Sequence, residues 1–431
     1  MLRIIAIILT GILTSFYFFP FEFAILPGAN TKMIMAGVSL VVLGANLAKT
    51  RMASIGRDFM TLSVIACLVS LAGLIAVAYN ETNDYTYASY IVSMWVWLGG
   101  AYLAVSCMRW LHEKVTISLV ANYLIAVCVA QCIIALLIDN FPGFENFVQT
   151  YIAGFDWVGF EQLSEGERLY GIGATLDVAG LRFSAVLTMI AYLSVKSVEN
   201  SNHKLTLLYI LAFGIITLIG NMMARTTVVG VGLSCVYWIY ASRSMENRKV
   251  LWRYIVGMVG VAVVVSTILY NKDAAFKEDI RFAFEGFFSL VEKGEWNVSS
   301  NERLKNMYVF PDNFKTWVIG DGYIENPYYR DPYYIGDFIG GYYMGTDVGY
   351  LRFIFYFGVV GLALFMAFFA KATQVCIRHF KEYRLFFLML LAVNFIVWFK
   401  VSTDIFLVFA LFLCLNEKEK SSEYISEGEN K

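Results

Sequence analysis

The chain has 431 residues, 59% of them apolar or aromatic and only 16% charged, against about 45–50% and about 25% in a soluble globular domain. This excludes an ordinary water-soluble enzyme, and a net charge of −1 from 33 basic and 34 acidic residues gives no overall field for nucleic acid. The seven cysteines, Cys67, Cys107, Cys128, Cys132, Cys235, Cys376 and Cys414, lie in apolar stretches or at their ends, so neither a disulfide framework nor a Cys/His metal site is indicated.

Apolar runs fall at 4–19, 33–48, 59–79, 87–107, 115–138, 178–195, 205–223, 226–241, 254–270, 349–370, 385–399 and 401–415. At ~20 residues per crossing they predict an all-α polytopic membrane protein of about twelve transmembrane helices. The first run begins after Arg3 without a small-residue cleavage site and reads as a retained span. With the N-terminus inside, the inner loops collect Lys49, Arg51 and Arg57; Arg109 and Lys114; Lys196 and Lys204; Arg243, Arg248, Lys249 and Arg253; and Lys371, Arg378, Lys381 and Arg384. The short outer loops hold only Lys32, Arg225 and Lys400, so the positive-inside rule is obeyed and the polar tail 417–431 is expected inside.

This divides the chain into a membrane domain over 1–270 with an outer loop at 139–177, a large outer loop over 271–348 between the ninth and tenth spans, and the last three spans over 349–416. Within the large loop, Phe276, Ile280, Phe284, Phe287, Phe288 and Val291 recur at helical spacing, which predicts one amphipathic helix in the headgroup layer. Ser299-Ser300-Asn301-Glu302 reads as a capping box opening a short helix that carries Arg303. There is no internal repeat, which counts against a transporter built from inverted halves.

An arginine at membrane depth needs a partner or a task. Arg225 lies in a very tight turn between two spans, Arg168 and Asp177 precede the sixth span, Arg182 begins it, and Arg352 begins the tenth. Guanidinium groups bind phosphate bidentately and stay charged, so these arginines could converge on one anion such as a lipid-linked pyrophosphate; snorkelling to headgroups is the plainer alternative. Asp347, where the long loop re-enters the membrane, is the first candidate for a base, with helix capping as the other reading. His112, His203 and His379 all fall in inner loops and cannot serve on the outer face. Tyr323, Tyr328, Tyr329, Tyr333, Tyr334, Tyr342, Tyr343 and Tyr350 suit either sugar stacking or a membrane-interface belt.

Over residues 160–370 the chain resembles the O-antigen polymerase and O-antigen ligase superfamily of bacterial surface-polysaccharide enzymes. The likeness is carried by Arg168-Leu169-Tyr170-Gly171 leading through Asp177-Val178-Ala179-Gly180 into a span, and by Ala224-Arg225-Thr226-Thr227 at a tight outer turn. It continues with Arg303, Gly320-Asp321-Gly322, Asp347-Val348-Gly349-Tyr350-Leu351-Arg352 and Tyr356-Phe357-Gly358-Val359-Val360-Gly361. The resemblance implies a GT-C-like, metal-independent membrane glycosyltransferase, without cofactor, in the bacterial inner membrane with both termini cytoplasmic. Its substrate would be an undecaprenyl-pyrophosphate-linked oligosaccharide.

Arg168 and Arg225 correspond by position to pyrophosphate-contacting arginines, and Asp347 falls where the ligases have a histidine, which favours a polymerase of O-antigen, capsule or exopolysaccharide. Arg168, Arg225 and Asp347 are then the expected catalytic set, with Arg352, Arg182, Arg303, Tyr350 and Asp177 binding substrate. Membrane lipid, a chain-length regulator and a flippase are the implied partners, and no nucleic acid. The alternatives are a ligase transferring glycan to lipid A core, and a lipid-linked oligosaccharide flippase or secondary transporter.

Overall fold

The computed structural model describes residues 2–50, 56–153, 168–328 and 341–415. The tail 417–431, Tyr329, Tyr333, Tyr334 and part of the loop at 139–177 lie outside the described residues. Backbone polar groups in hydrocarbon must be satisfied within their own segment, and the apolar runs accordingly fold as helices. Every one of the twelve does so: α1 (Leu2–Phe18), α2 (Thr31–Thr50), α3 (Arg57–Tyr79), α4 (Tyr90–Leu111), α5 (Ile117–Asn140), then, after the short α6 (Pro142–Tyr151), α7 (Leu176–Glu199), α8 (His203–Met223), α9 (Val228–Ser242) and α10 (Arg248–Lys272). The large loop carries α11 (Ala274–Ala283), α12 (Glu285–Lys293), α13 (Ser299–Asn306) and α14 (Phe314–Val318). Finally come α15 (Gly349–His379), α16 (Arg384–Val397) and α17 (Phe406–Leu413).

Seven of these, α3, α4, α5, α7, α8, α10 and α15, are long and apolar enough to cross a bilayer, so the chain is a predominantly helical, multi-pass membrane protein. The other five runs form shorter helices, with 17, 20, 15, 14 and 8 residues in α1, α2, α9, α16 and α17. Two strands, β1 (Glu22–Phe23) and β2 (Ile152–Ala153), pair antiparallel and tie the α1–α2 connection to the segment after α6.

Contacts sort the connections into two ends. At one end Asp58 pairs with Arg378 and His379, Lys196 donates to the Tyr383 hydroxyl, and Arg109 reaches the Cys414 carbonyl. At the other end the loop around 80–84 bonds to 320–326, and the turn 224–227 bonds to both 282–300 and Lys400 of the 398–405 connection. Helix α7 runs between them through the middle: 89% of its most apolar stretch is buried, against 6% for α10 at the rim.

Close approach around α7 depends on small residues, as is common where membrane helices pack. A side chain at Gly180 would meet the Thr226 Cβ at 2.8 Å and the Ala224 Cβ at 3.0 Å, and one at Gly230 would run into the Ser184 backbone. The Ser184 hydroxyl donates to the Thr226 carbonyl at 3.0 Å and accepts from the Gly230 amide at 3.1 Å, pinning the turn between α8 and α9 against α7.

Helix α15 is broken at Phe357–Gly358, where Gly358 has φ of 69°. The break frees the Phe355 and Tyr356 carbonyls, and the Gly320-Asp321-Gly322 segment fills the gap. The Asp321 amide donates to the Phe355 carbonyl at 2.5 Å and the Gly322 amide to the Tyr356 carbonyl at 3.0 Å. Gly320 and Gly322 both have positive φ, at 86° and 74°. Asp321 is held by Lys315 and Thr316 at 2.6 and 2.7 Å, so its carboxylate anchors the loop.

Two sequence expectations change here. The amphipathic stretch is two helices rather than one, jointed at Phe284, because the Phe282 carbonyl at the end of α11 accepts from Arg225 Nε at 3.0 Å instead of continuing the ladder. Phe276, Ile280 and Phe284 face inward and Phe288 stacks on Tyr270 of α10, while Phe287 and Val291 are exposed. The short helix at Ser299–Asn306 forms, but Val298 stands at its cap without a side-chain bond; the serines expected to cap it face Arg225 instead.

Gly320→Ala forces a side chain into the Tyr356 carbonyl at a left-handed φ, which costs on the order of 1–3 kcal/mol in backbone strain before the clash is counted. The variant is expected to unfold at lower temperature in detergent, whereas Gly257→Ala, on open α10 surface, is expected to match the parent or exceed it.

Candidate functional site

The turn 224–227 is so short because α8 ends at Met223 and a single 3-10 turn, Arg225–Thr227, leads straight into α9. That fixes the Arg225 side chain at one end of the bundle, where its guanidinium lies 3.9 Å from the Phe282 ring centroid. Its Nη1 pairs with Glu285 at 2.8 Å and donates to Ser300 at 3.2 Å and Ser299 at 3.4 Å. Arg168 lies over the same Phe282 ring at 4.9 Å. One aromatic ring thus contacts both arginines, a cation–π arrangement worth ~0.5–2 kcal/mol per contact depending on desolvation.

Beside them, Asp177 in the first turn of α7 accepts from the Thr226 hydroxyl at 3.2 Å. Thr226 in turn lies 3.5 Å from Lys400 Nζ, which comes from the connection between α16 and α17. That connection is bound to the start of α15: the Tyr350 amide donates to the Trp398 carbonyl at 3.1 Å, and Gly349 leaves room for the Val401 carbonyl. Asp347 completes the group, 3.5 Å from Arg352 Nη1. Arg352 also donates to the Ile324 carbonyl at 3.2 Å and lies over the Tyr342 ring at 4.7 Å, and its buried Nε has no hydrogen-bond partner among the described residues.

Five segments therefore bring Arg168, Arg225, Arg352 and Lys400 into one electrostatic neighbourhood with Asp177 and Asp347. Burial pushes the Asp347 carboxyl up to about 7; Asp177 adds to this, and Arg352, Lys400 and the Tyr342 hydroxyl offset it only in part. Burial lowers the Lys400 ammonium, Asp177 and Asp347 support its charge, and Arg168 and Arg225 oppose it. A carboxyl that titrates near neutrality beside fixed cations can take up or release a proton under working conditions.

Asp347 does not cap α15: Val348 occupies that position, and the cap has no side-chain bond. Asp177 likewise turns to Thr226, while Thr175 stands at the cap of α7.

Other expected residues are placed differently. Arg182 is not beside Arg225; it points into the bundle, 5% exposed, over the Phe18 and Phe19 rings at 5.8 and 5.4 Å. Its Nε and Nη1 are buried without a hydrogen-bond partner among the described residues, and its charged neighbours are Asp404 and Lys32. Tyr350 donates to the Phe395 carbonyl at 2.9 Å and packs on Trp398 and Phe399, so it fastens the α16–α17 connection. Arg303 is exposed on α13, on the face that spacing shares with Ser299 and Ser300. Among the described residues no group of three or more His, Cys, Asp or Glu is placed to hold a metal ion.

Phe282 and Glu285 are site neighbours absent from the sequence expectations, where Thr226 figured only as part of the tight-turn motif and Lys400 only as an outer-loop cation. Lys400 had a visible signal, a lone cation between two apolar runs. Glu285 and Phe282 had none, because their meeting with Arg225 crosses 57 residues or more of chain.

The position of Asp347 gives a test that needs no substrate. Infrared difference spectra should contain a protonated-carboxyl band that disappears as pH rises through about 7 and is missing in Asp347→Asn. Asp177→Asn removes a like charge and should move that transition to lower pH; an unmoved transition would separate the two carboxylates.

Comparison with protein-family models, curated proteins and solved structures finds no match to this chain.

Proposed function

We propose that the protein is a polysaccharide polymerase of the bacterial inner membrane, joining lipid-linked repeat units on the periplasmic face. The observation that carries this reading is the gathering of three arginines and a lysine around two carboxylates at one end of an apolar helix bundle. In this reading all twelve helical runs cross or enter the membrane in a GT-C-like arrangement, with the basic end cytoplasmic and both chain termini on that side.

The reaction displaces a phosphate leaving group at carbon. A hydroxyl of the incoming repeat unit attacks the anomeric carbon of the growing chain. The new C–O bond forms as the bond to undecaprenyl pyrophosphate breaks, and the diphosphate departs with the electron pair. Arg168 and Arg225 stabilise the developing charge, and the Nε–H of Arg352, which has no partner among the described residues, is a further donor for the substrate. Asp347 accepts the hydroxyl proton, for which a carboxylate titrating near neutrality is well matched. Arg225 is ion-paired with Glu285 as folded, so the diphosphate must share or displace that carboxylate. The energy comes from the sugar–diphosphate bond already in the donor.

Lengthening of a defined lipid-linked repeat unit by the purified protein, with and without chelator, tests the reaction directly. Arg225→Ala is expected to lower turnover roughly a hundredfold to a thousandfold with protein still in the membrane. Arg225→Lys should recover little, since the fork geometry is lost. Asp347→Asn should cost about a hundredfold or more, and the parental rate should fall as pH drops through about 7, where Asp347 becomes protonated. Gene deletion that leaves single repeat units supports a polymerase, whereas polymerised lipid-linked chains would indicate a ligase. Movement of the lipid-linked unit across liposomes without lengthening would replace both.

A further inference from the structure

Where α7, α9 and the start of α16 meet, at the end of the bundle opposite Asp347, they line an open cavity of about 430 Å³. Tyr192, Lys196 and Glu199 line it from α7, Tyr237 and Tyr240 from α9, and Glu382 from the turn before α16. The Tyr192 and Tyr237 rings stack at 5.8 Å and 28°. The Tyr192 hydroxyl donates to the Glu382 carbonyl at 2.7 Å, which holds that residue at the rim. Lys196 is positioned from behind by Tyr383, whose hydroxyl accepts at 3.0 Å and whose ring centroid is 4.5 Å from Nζ.

The outer wall is open on the side that faces lipid in a membrane-embedded bundle. Tyr240 is 59% exposed, Val236 on the same helix 65%, and Leu385 across the gap 40%. The lining makes three distinct chemical demands. The exposed Tyr240 ring, in a lining that carries the Glu199 and Glu382 carboxylates, favours an ammonium group; one lysine in the same lining suits a phosphate; exposed aliphatic side chains on both flanks suit acyl chains. With two acids to one base, the lining disfavours a headgroup of net negative charge.

We propose that this cavity binds the headgroup of a zwitterionic aminophospholipid, its ammonium on the exposed Tyr240 ring beside Glu199 and Glu382, and its phosphate on Lys196. The site is independent of the polymerase reading and would stand if that reading fell.

The test is native mass spectrometry of the purified full chain after exchange into phosphatidylethanolamine, phosphatidylglycerol or diacylglycerol, with soluble phosphoethanolamine as competitor. Retention of phosphatidylethanolamine should exceed that of phosphatidylglycerol by on the order of tenfold, and Tyr240→Ala and Glu382→Gln should each lower it by several-fold. Both residues are exposed, so folding should survive, and circular dichroism checks that it does. Equal retention of phosphatidylglycerol, or unchanged retention in both variants, would overturn the proposal. Displacement of the lipid by equimolar phosphoethanolamine would also overturn it, by assigning the cavity to a soluble amine, whereas lipid that resists this competitor supports it.

Discussion

Removing the side chains at Gly180 and Gly230 lets α7 come within direct contact of the turn between α8 and α9, and the placement of Arg225 depends on that contact. Buried polar groups in an apolar interior must be paired, so Ser184, bridging the Thr226 carbonyl and the Gly230 amide, both locks the turn and satisfies it. The guanidinium then has few directions left and reaches Phe282, Glu285 and the serines of α13. In this way a packing constraint within three bundle helices is converted into the docking position of the short helices α11 to α13 beside them.

The α16–α17 connection extends the same logic. It is polar where apolar helices end, and it presents Lys400 to the carboxylates on one side while Asp404 accepts from the Phe406 amide at 2.8 Å on the other. Irregular backbone within an apolar bundle is tolerated where protein covers it. Cover is provided by Tyr350 and by the close approach at Gly349, which is why the start of α15 and this connection behave as one unit.

Hydropathy made the helices legible, since each apolar run became one, and the basic loops foretold which helix ends would gather together. The tight turn at Ala224-Arg225-Thr226-Thr227 was equally readable, because a span that restarts within a few residues leaves its arginine nowhere else to go. Side-chain direction was not readable. Arg182 lies five positions after Asp177 on the same helix, and that offset turns it to another face, among Phe18 and Phe19. The serines of α13 matched a capping pattern, yet a long-range charge claimed them, an interaction that no local pattern contains. The Gly320-Asp321-Gly322 glycines looked like a loop motif, and their task proved to be backbone approach to a broken helix.

That last arrangement makes a connecting segment part of a long apolar helix. Exposed loops ordinarily tolerate replacement or insertion, since little depends on their backbone. Here the amides of Asp321 and Gly322 stand in for donors that α15 lacks at its break. A chimera exchanging this stretch for a generic flexible linker would leave two carbonyls stranded in an apolar interior, so in domain-swapping terms the segment must be inherited together with the helix it repairs.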